Sequence, residues 1–122
     1  MKSFKELKVW QNGIELVAIV YKITASFPEE EKYGLSAQMR RAAVSIPSNI
    51  ADGHLRKTAR YFKQFLSIAR GSCAELETKI IIAHKLGFIH DDNFDNLSSK
   101  VEELSKMLSS FYSKINSNPL NR

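Results

Sequence analysis

Apolar residues recur at helical spacing along almost the whole chain, and the clearest run is the last. Phe94, Leu97, Val101, Leu104, Leu108, Phe111 and Ile115 repeat every three or four residues with polar flanks. That is the seam of a helix lying on one side of a bundle. Asp91, Asp92 and Asn93 supply a cap and negative charge for its N-terminal dipole. The spacing predicts a helix over about 91–116.

Three more helices are predicted upstream. From about 8 to 26, Val9, Trp10, Ile14, Leu16, Val17, Ile19, Val20, Tyr21 and Ile23 leave only a thin polar stripe at Gln11, Glu15 and Lys22. One buried stripe uses less apolar surface than this. The helix is therefore either central to the subunit or buried again between subunits. Phe27-Pro28 stops it, and Glu29-Glu30-Glu31 opens a loop that reaches Gly34.

The next helix should cover about 35–53, with Leu35, Met39, Ala42, Ile46 and Ile50 on its apolar row. Gln38, Ser45, Asn49 and Asp52 form a separate polar row. The segment is rich in Ala and Ser, so a neighbouring helix can come close. Pro47 inside it removes one N–H and crowds the Ala43 carbonyl, which predicts a bend. Ser45, Asn49 and Asp52 are expected to satisfy the freed backbone groups or to bond between subunits. Gly53 is the expected terminus.

After His54-Leu55-Arg56-Lys57, Thr58 is a good N-cap for a helix over about 58–86. At ~1.5 Å per residue it is roughly 40 Å long. Its core row is Phe62, Phe65, Ala69, Cys73 (or Ser72), Leu76, Ile80 and Ala83, widened by Leu66 and Ile68. Gly71 costs about 1 kcal/mol of helix propensity, and close helix contact is the expected compensation. Gly87 ends this helix. Four long helices with short connections predict an all-α, up-down-up-down antiparallel bundle without β-sheet. A helix-turn-helix reader is the competing picture, but these helices are longer than that motif needs.

Composition narrows the class. With 122 residues, 43 % apolar and 25 % charged, the chain reads as one domain over 1–116 followed by a frayed tail at 117–122. Cys73 is the single cysteine, so no intrachain disulfide or cysteine zinc cluster is available. No signal-like or membrane-spanning run is visible, which places the protein in the cytoplasm. The net charge is +5. Between Leu35 and Lys63 lie six basic residues (Arg40, Arg41, Arg56, Lys57, Arg60 and Lys63) and one acid, Asp52, so this segment alone accounts for the whole excess. A localised basic surface suits nucleic acid or an acidic or nucleoprotein partner. A solvated basic turn is the plainer alternative.

The residues also resemble a known family, the bacterial four-helix-bundle proteins that include those encoded in 23S rRNA intervening sequences. The likeness is carried by Phe27-Pro28-Glu29-Glu30-Glu31-Lys32-Tyr33-Gly34-Leu35 and by Gln38-Met39-Arg40-Arg41-Ala42-Ala43-Val44-Ser45-Ile46-Pro47-Ser48-Asn49-Ile50-Ala51. It continues through Asp52-Gly53, Arg56, Phe62, Phe65-Leu66, Ile68-Ala69-Arg70-Gly71-Ser72, Glu75-Leu76-Glu77 and Leu86-Gly87-Phe88-Ile89. Asp52 departs from the pattern, which more often has Glu there. The resemblance implies a left-handed bundle assembling as a ring, typically a homopentamer. Related accessory proteins of diversity-generating retroelements form basic pentameric barrels implicated in binding nucleic acid and a reverse transcriptase.

No catalytic constellation emerges. His54, His84 and His90 share no metal-ligand spacing, and Ser72 and Cys73 have no nearby base in sequence. Neither a cofactor nor a metal is expected. Gln38, Ser45, Asn49 and Glu75 are expected in a structural network, with Arg40 or Arg41 pairing with Glu75 across two helices. Alternatively these arginines line a path for phosphates. The leading expectation is a non-enzymatic homo-oligomer that binds RNA or DNA through Arg40, Arg41, Arg56, Lys57, Arg60 and Lys63. A scaffold that contacts proteins alone is the rival.

Overall fold

The computed structural model describes residues 3–116. Its four helices are α1 (Lys8–Thr24), α2 (Leu35–Leu55), α3 (Ala59–Lys85) and α4 (Asp91–Asn116), with short 3-10 turns at Phe4–Glu6 and Glu29–Glu31. No strand occurs among the described residues. α1 packs on α2 and α4, and α3 packs on the same two helices. Between them lies one core built from the rows expected of each helix: Leu16 and Val20, Met39 and Ile46, Leu76 and Ile80, Leu97 and Leu104, among others. The tail expected at 117–122 lies outside the described residues.

Local chemistry sets the helix ends. Thr58 caps α3, its side chain accepting from the Tyr61 N–H at 3.2 Å, a contact worth about 1 kcal/mol. At the other end Gly87 has φ +81. The Phe88 N–H bonds the Ala83 carbonyl at 2.9 Å and the Gly87 N–H bonds the His84 carbonyl at 3.0 Å. These are the two reversed bonds of a left-handed glycine cap. α2 starts without a side-chain cap at Gly34. Instead the Glu31 carboxylate accepts from the Leu35 N–H at 3.0 Å, placing negative charge at the positive end of the helix.

Several expectations are corrected. α1 is not central: it buries Val9, Gly13, Leu16, Val20 and Thr24 and leaves Ile14 and Tyr21 each 44 % exposed. α2 does not stop at Gly53 but continues to Leu55. The left-handed position after it is Lys57, with φ +64. Gly53 serves packing: a Cβ there would stand 2.7 Å from the Phe65 Cβ and 3.0 Å from Phe62 Cδ1. Gly71 has no close helix contact, since nothing lies within 4 Å of where its Cβ would be. Ile68 does not widen the core; it is 48 % exposed.

Candidate nucleic-acid interface

Five of the six candidate cations fall into two groups, and Lys63 stands apart. Arg56, Lys57 and Arg60 are exposed together at the α2–α3 turn, where the left-handed Lys57 reverses the chain. Arg40 and Arg41 lie fifteen or so residues back along α2, roughly 22 Å away at ~1.5 Å per residue. One continuous six-residue patch is therefore not formed.

Each cation has its own surroundings. Arg56 sits over the Phe65 ring at 5.0 Å. Lys63 is half-buried, its Nζ 4.6 Å from the centre of the Tyr112 ring on α4. Arg40 is engaged inside the subunit: its Nε donates to Thr24 Oγ1 at 2.8 Å, its outer nitrogen to the Tyr21 carbonyl at 3.3 Å, and its guanidinium covers the Tyr21 ring at 4.4 Å. Thr24 is buried and passes its own hydroxyl hydrogen to the Val20 carbonyl at 2.7 Å. Arg40 thus ties α2 to α1.

The expected network is corrected in its membership. Asn49 Nδ2 donates to the Ser45 carbonyl at 2.8 Å and to Ser45 Oγ at 2.9 Å. Ser45 Oγ in turn meets Ser72 Oγ of α3 at 2.8 Å. Ser72 closes this bridge, in the place expected for Glu75. Asn49 bonds the Ser45 carbonyl rather than that of Ala43, which Pro47 deprives of its donor. Gln38, Arg41 and Glu75 are exposed and line one open cleft of about 340 Å³ with Ala42, Ser45 and Lys79. Among the described residues no ion pair joins Arg41 to Glu75; charged partners meet instead at Lys106–Glu102, 3.6 Å apart, while His84 and Asp91 share a hydrogen bond of 2.7 Å. Small residues on the cleft floor keep the helices close, and the charged chains point out to water, where no partner is required.

Among the described residues no group of three His, Cys, Asp or Glu side chains is placed to hold a metal ion. Cys73 is 1 % exposed, and burial, followed by the charge of Glu77, pushes its thiol from 9.0 up to about 12. Such a thiol is inert. No helix among the described residues is long and apolar enough to cross a membrane.

Sequence reasoning missed two contacts between helices. Tyr112 gathers cations from α3 although it stands far from them in sequence, and Gly13 meets Pro47 across the α1–α2 contact. Helical periodicity could have placed both on the faces concerned, but not their partners.

The family model of the 23S rRNA-intervening sequence protein matches residues 5–110, from the first 3-10 turn to the last turns of α4. The chain belongs to this family. A crystal structure from Bacteroides thetaiotaomicron, described as a protein with unknown function from the S23 ribosomal protein family, is similar to it with a TM-score of 0.77. That match covers 85 % of this chain and 97 % of the other at 21 % identity, and what it carries is the fold. No curated protein matches the chain in sequence.

Proposed function

We propose that this 23S rRNA-intervening sequence protein is a non-enzymatic, cytoplasmic, homo-oligomeric bundle that binds the phosphate backbone of RNA or DNA through its α2–α3 turn. The observation that carries the reading is the exposure of Arg56, Lys57 and Arg60 at one turn, with no carboxylate among the described residues paired to any of them. Three unneutralised cations on neighbouring residues repel one another, and a polyanion relieves that repulsion while releasing its own counterions. Arg41 is free to add to the surface from its cleft, whereas Arg40 is held by Thr24 and Tyr21.

Oligomerisation is the second part of the proposal. Trp10, Ile14, Val17 and Tyr21 recur on the outer side of α1, and Val44 on α2 is 38 % exposed. Ile14, Tyr21 and Val44 are the exposed members of this set; apolar side chains left outside the core on neighbouring helices favour a protein contact, and another copy of the chain covers them. The helix pairs α1–α2, α2–α3, α3–α4 and α4–α1 support an up-down-up-down antiparallel bundle. The left-handed twist and the ring of five come from the family resemblance.

Retention on heparin, together with the 260/280 absorbance ratio of the purified protein, tests nucleic-acid binding. Light scattering tests assembly. The account expects salt-sensitive retention and a species several times the 13.9 kDa subunit. A micromolar monomer overturns the assembly. A protein that assembles but never retains nucleic acid favours the alternative, a scaffold built on these apolar side chains.

A further inference from the structure

Tyr112 on α4 carries two cations from α3. Lys63 Nζ lies 4.6 Å from the ring centre and the Arg70 guanidinium carbon 5.3 Å. Both are anchored on one ring, so the two charges stand within roughly 10 Å of each other, about one Debye length at 0.1 M salt. Like charges so placed are normally relieved by a carboxylate, and among the described residues none forms an ion pair with either. The quadrupole of the ring holds the cations in place without neutralising them.

The placement points to a phosphate. Arg60, Lys63 and Arg70 lie within roughly 80° of one another around α3 at 3.6 residues per turn, and from first to last they cover ~15 Å. That is the length of about four phosphates on one strand of a duplex at ~3.4 Å each. Arg60 belongs to the exposed turn, so the row runs from the turn down the α3–α4 side of the bundle. Arg40 and Arg41 lie on another helix and in another direction.

We infer that Lys63 and Arg70, held by Tyr112, form a second phosphate-binding site on the α3–α4 face, and that a nucleic-acid backbone follows this face away from the turn. The inference rests on the reading that the bundle binds nucleic acid, and it assigns Arg70 and Tyr112 to the surface. Tyr112 acts as the positioning residue. Its two contacts hold the charged heads in place beforehand, so less side-chain freedom is lost on binding than free side chains would lose.

The test is the salt dependence of binding to an oligouridylate of about 20 nucleotides, longer than the ~4–16 that one single-strand-binding fold covers, and to a DNA duplex of similar length. Each phosphate contact contributes ~0.7 to the slope of log K against log salt for single strands and ~0.9 for duplex. The Lys63→Gln/Arg70→Gln protein should lose about 1.4 and 1.8 from the two slopes, and Arg70→Gln alone about half of that. Arg70→Lys keeps the charge and should keep the slope. Lys100→Gln, on α4 away from Tyr112, should bind as wild type. Unchanged slopes on both probes in both Gln variants, with Arg56→Glu/Lys57→Glu/Arg60→Glu abolishing binding, overturn the second site and leave the turn standing. A wild-type protein that binds neither probe overturns both.

Discussion

Gly13 of α1 lies against Pro47 of α2: a Cβ at position 13 would stand 3.3 Å from the Pro47 Cβ and 3.4 Å from its Cδ. The ring is rigid and is part of the helix backbone, so the glycine, not the proline, makes the room. This contact explains how α2 keeps a proline in its interior without ending there. A proline costs about 3 kcal/mol in a helix interior, and burial of the ring against α1 offsets part of that.

Gly13→Ala should therefore destabilise the fold by about 1 kcal/mol, although the same change in an open helix gains a similar amount. The cost should shrink when Pro47 is also Ala. A double-mutant cycle by chemical denaturation measures the coupling, expected at 0.5 kcal/mol or more, about the lower limit for residues in contact. Additive effects would show that the two residues do not meet.

Two further glycines should respond in opposite directions. Gly53→Ala drives a Cβ to 2.7 Å from the Phe65 Cβ, next to backbone that cannot yield, and should cost about 1–3 kcal/mol. Gly71→Ala meets open space and should gain up to about 1 kcal/mol. A loss at Gly71 instead would reveal a second chain lying on that face of α3. Thermal melts of the two variants beside wild type decide it.

Lys57 holds a left-handed conformation (φ +64) at the position after a helix where glycine is usual. Lys57→Gly should raise stability by about 1 kcal/mol while weakening nucleic-acid binding, because strain and charge reside in one residue. A stability gain with unchanged binding would remove Lys57 from the surface.

Cys73 makes a pH-dependent contribution whose sign follows from its raised pKa. Folding keeps the thiol protonated to about 12 against an ordinary 9.0. The stabilisation is fully present below pH 9 and is lost as pH rises from there toward 12, at up to about 1.4 kcal/mol per pH unit. The stability advantage of wild type over Cys73→Ala, measured by denaturation at pH 8 and pH 10, should narrow at the higher pH. A constant gap would contradict the burial of the thiol.

The helices were legible because each carries its own period. The α4 seam and the Leu35, Met39, Ala42, Ile46, Ile50 row are buried as spaced, apart from the half-buried ends Phe94, Phe111 and Ile115. What failed depended on partners. Gly53 looked like a terminus because glycine often ends helices, but here Phe65 sets the need for it. Arg40 looked equivalent to Arg41 in sequence; one turn geometry brings Thr24 to the first and leaves the second in a cleft. The basic segment was visible as a count of charges. Its division into a turn and a distant pair, and its extension to Arg70 through Tyr112, exist only in three dimensions.

The central claim is that the exposed α2–α3 turn binds nucleic-acid phosphates. Fluorescence anisotropy of labelled RNA and DNA at ~50 and ~200 mM salt, with wild type and with Arg56→Glu/Lys57→Glu/Arg60→Glu, tests it most directly. The account predicts binding by wild type that weakens steeply with salt and depends little on sequence, and none by the reversed variant, whose oligomer stays intact by light scattering. Equal binding by the two proteins, or no binding by wild type at the lower salt, would contradict it.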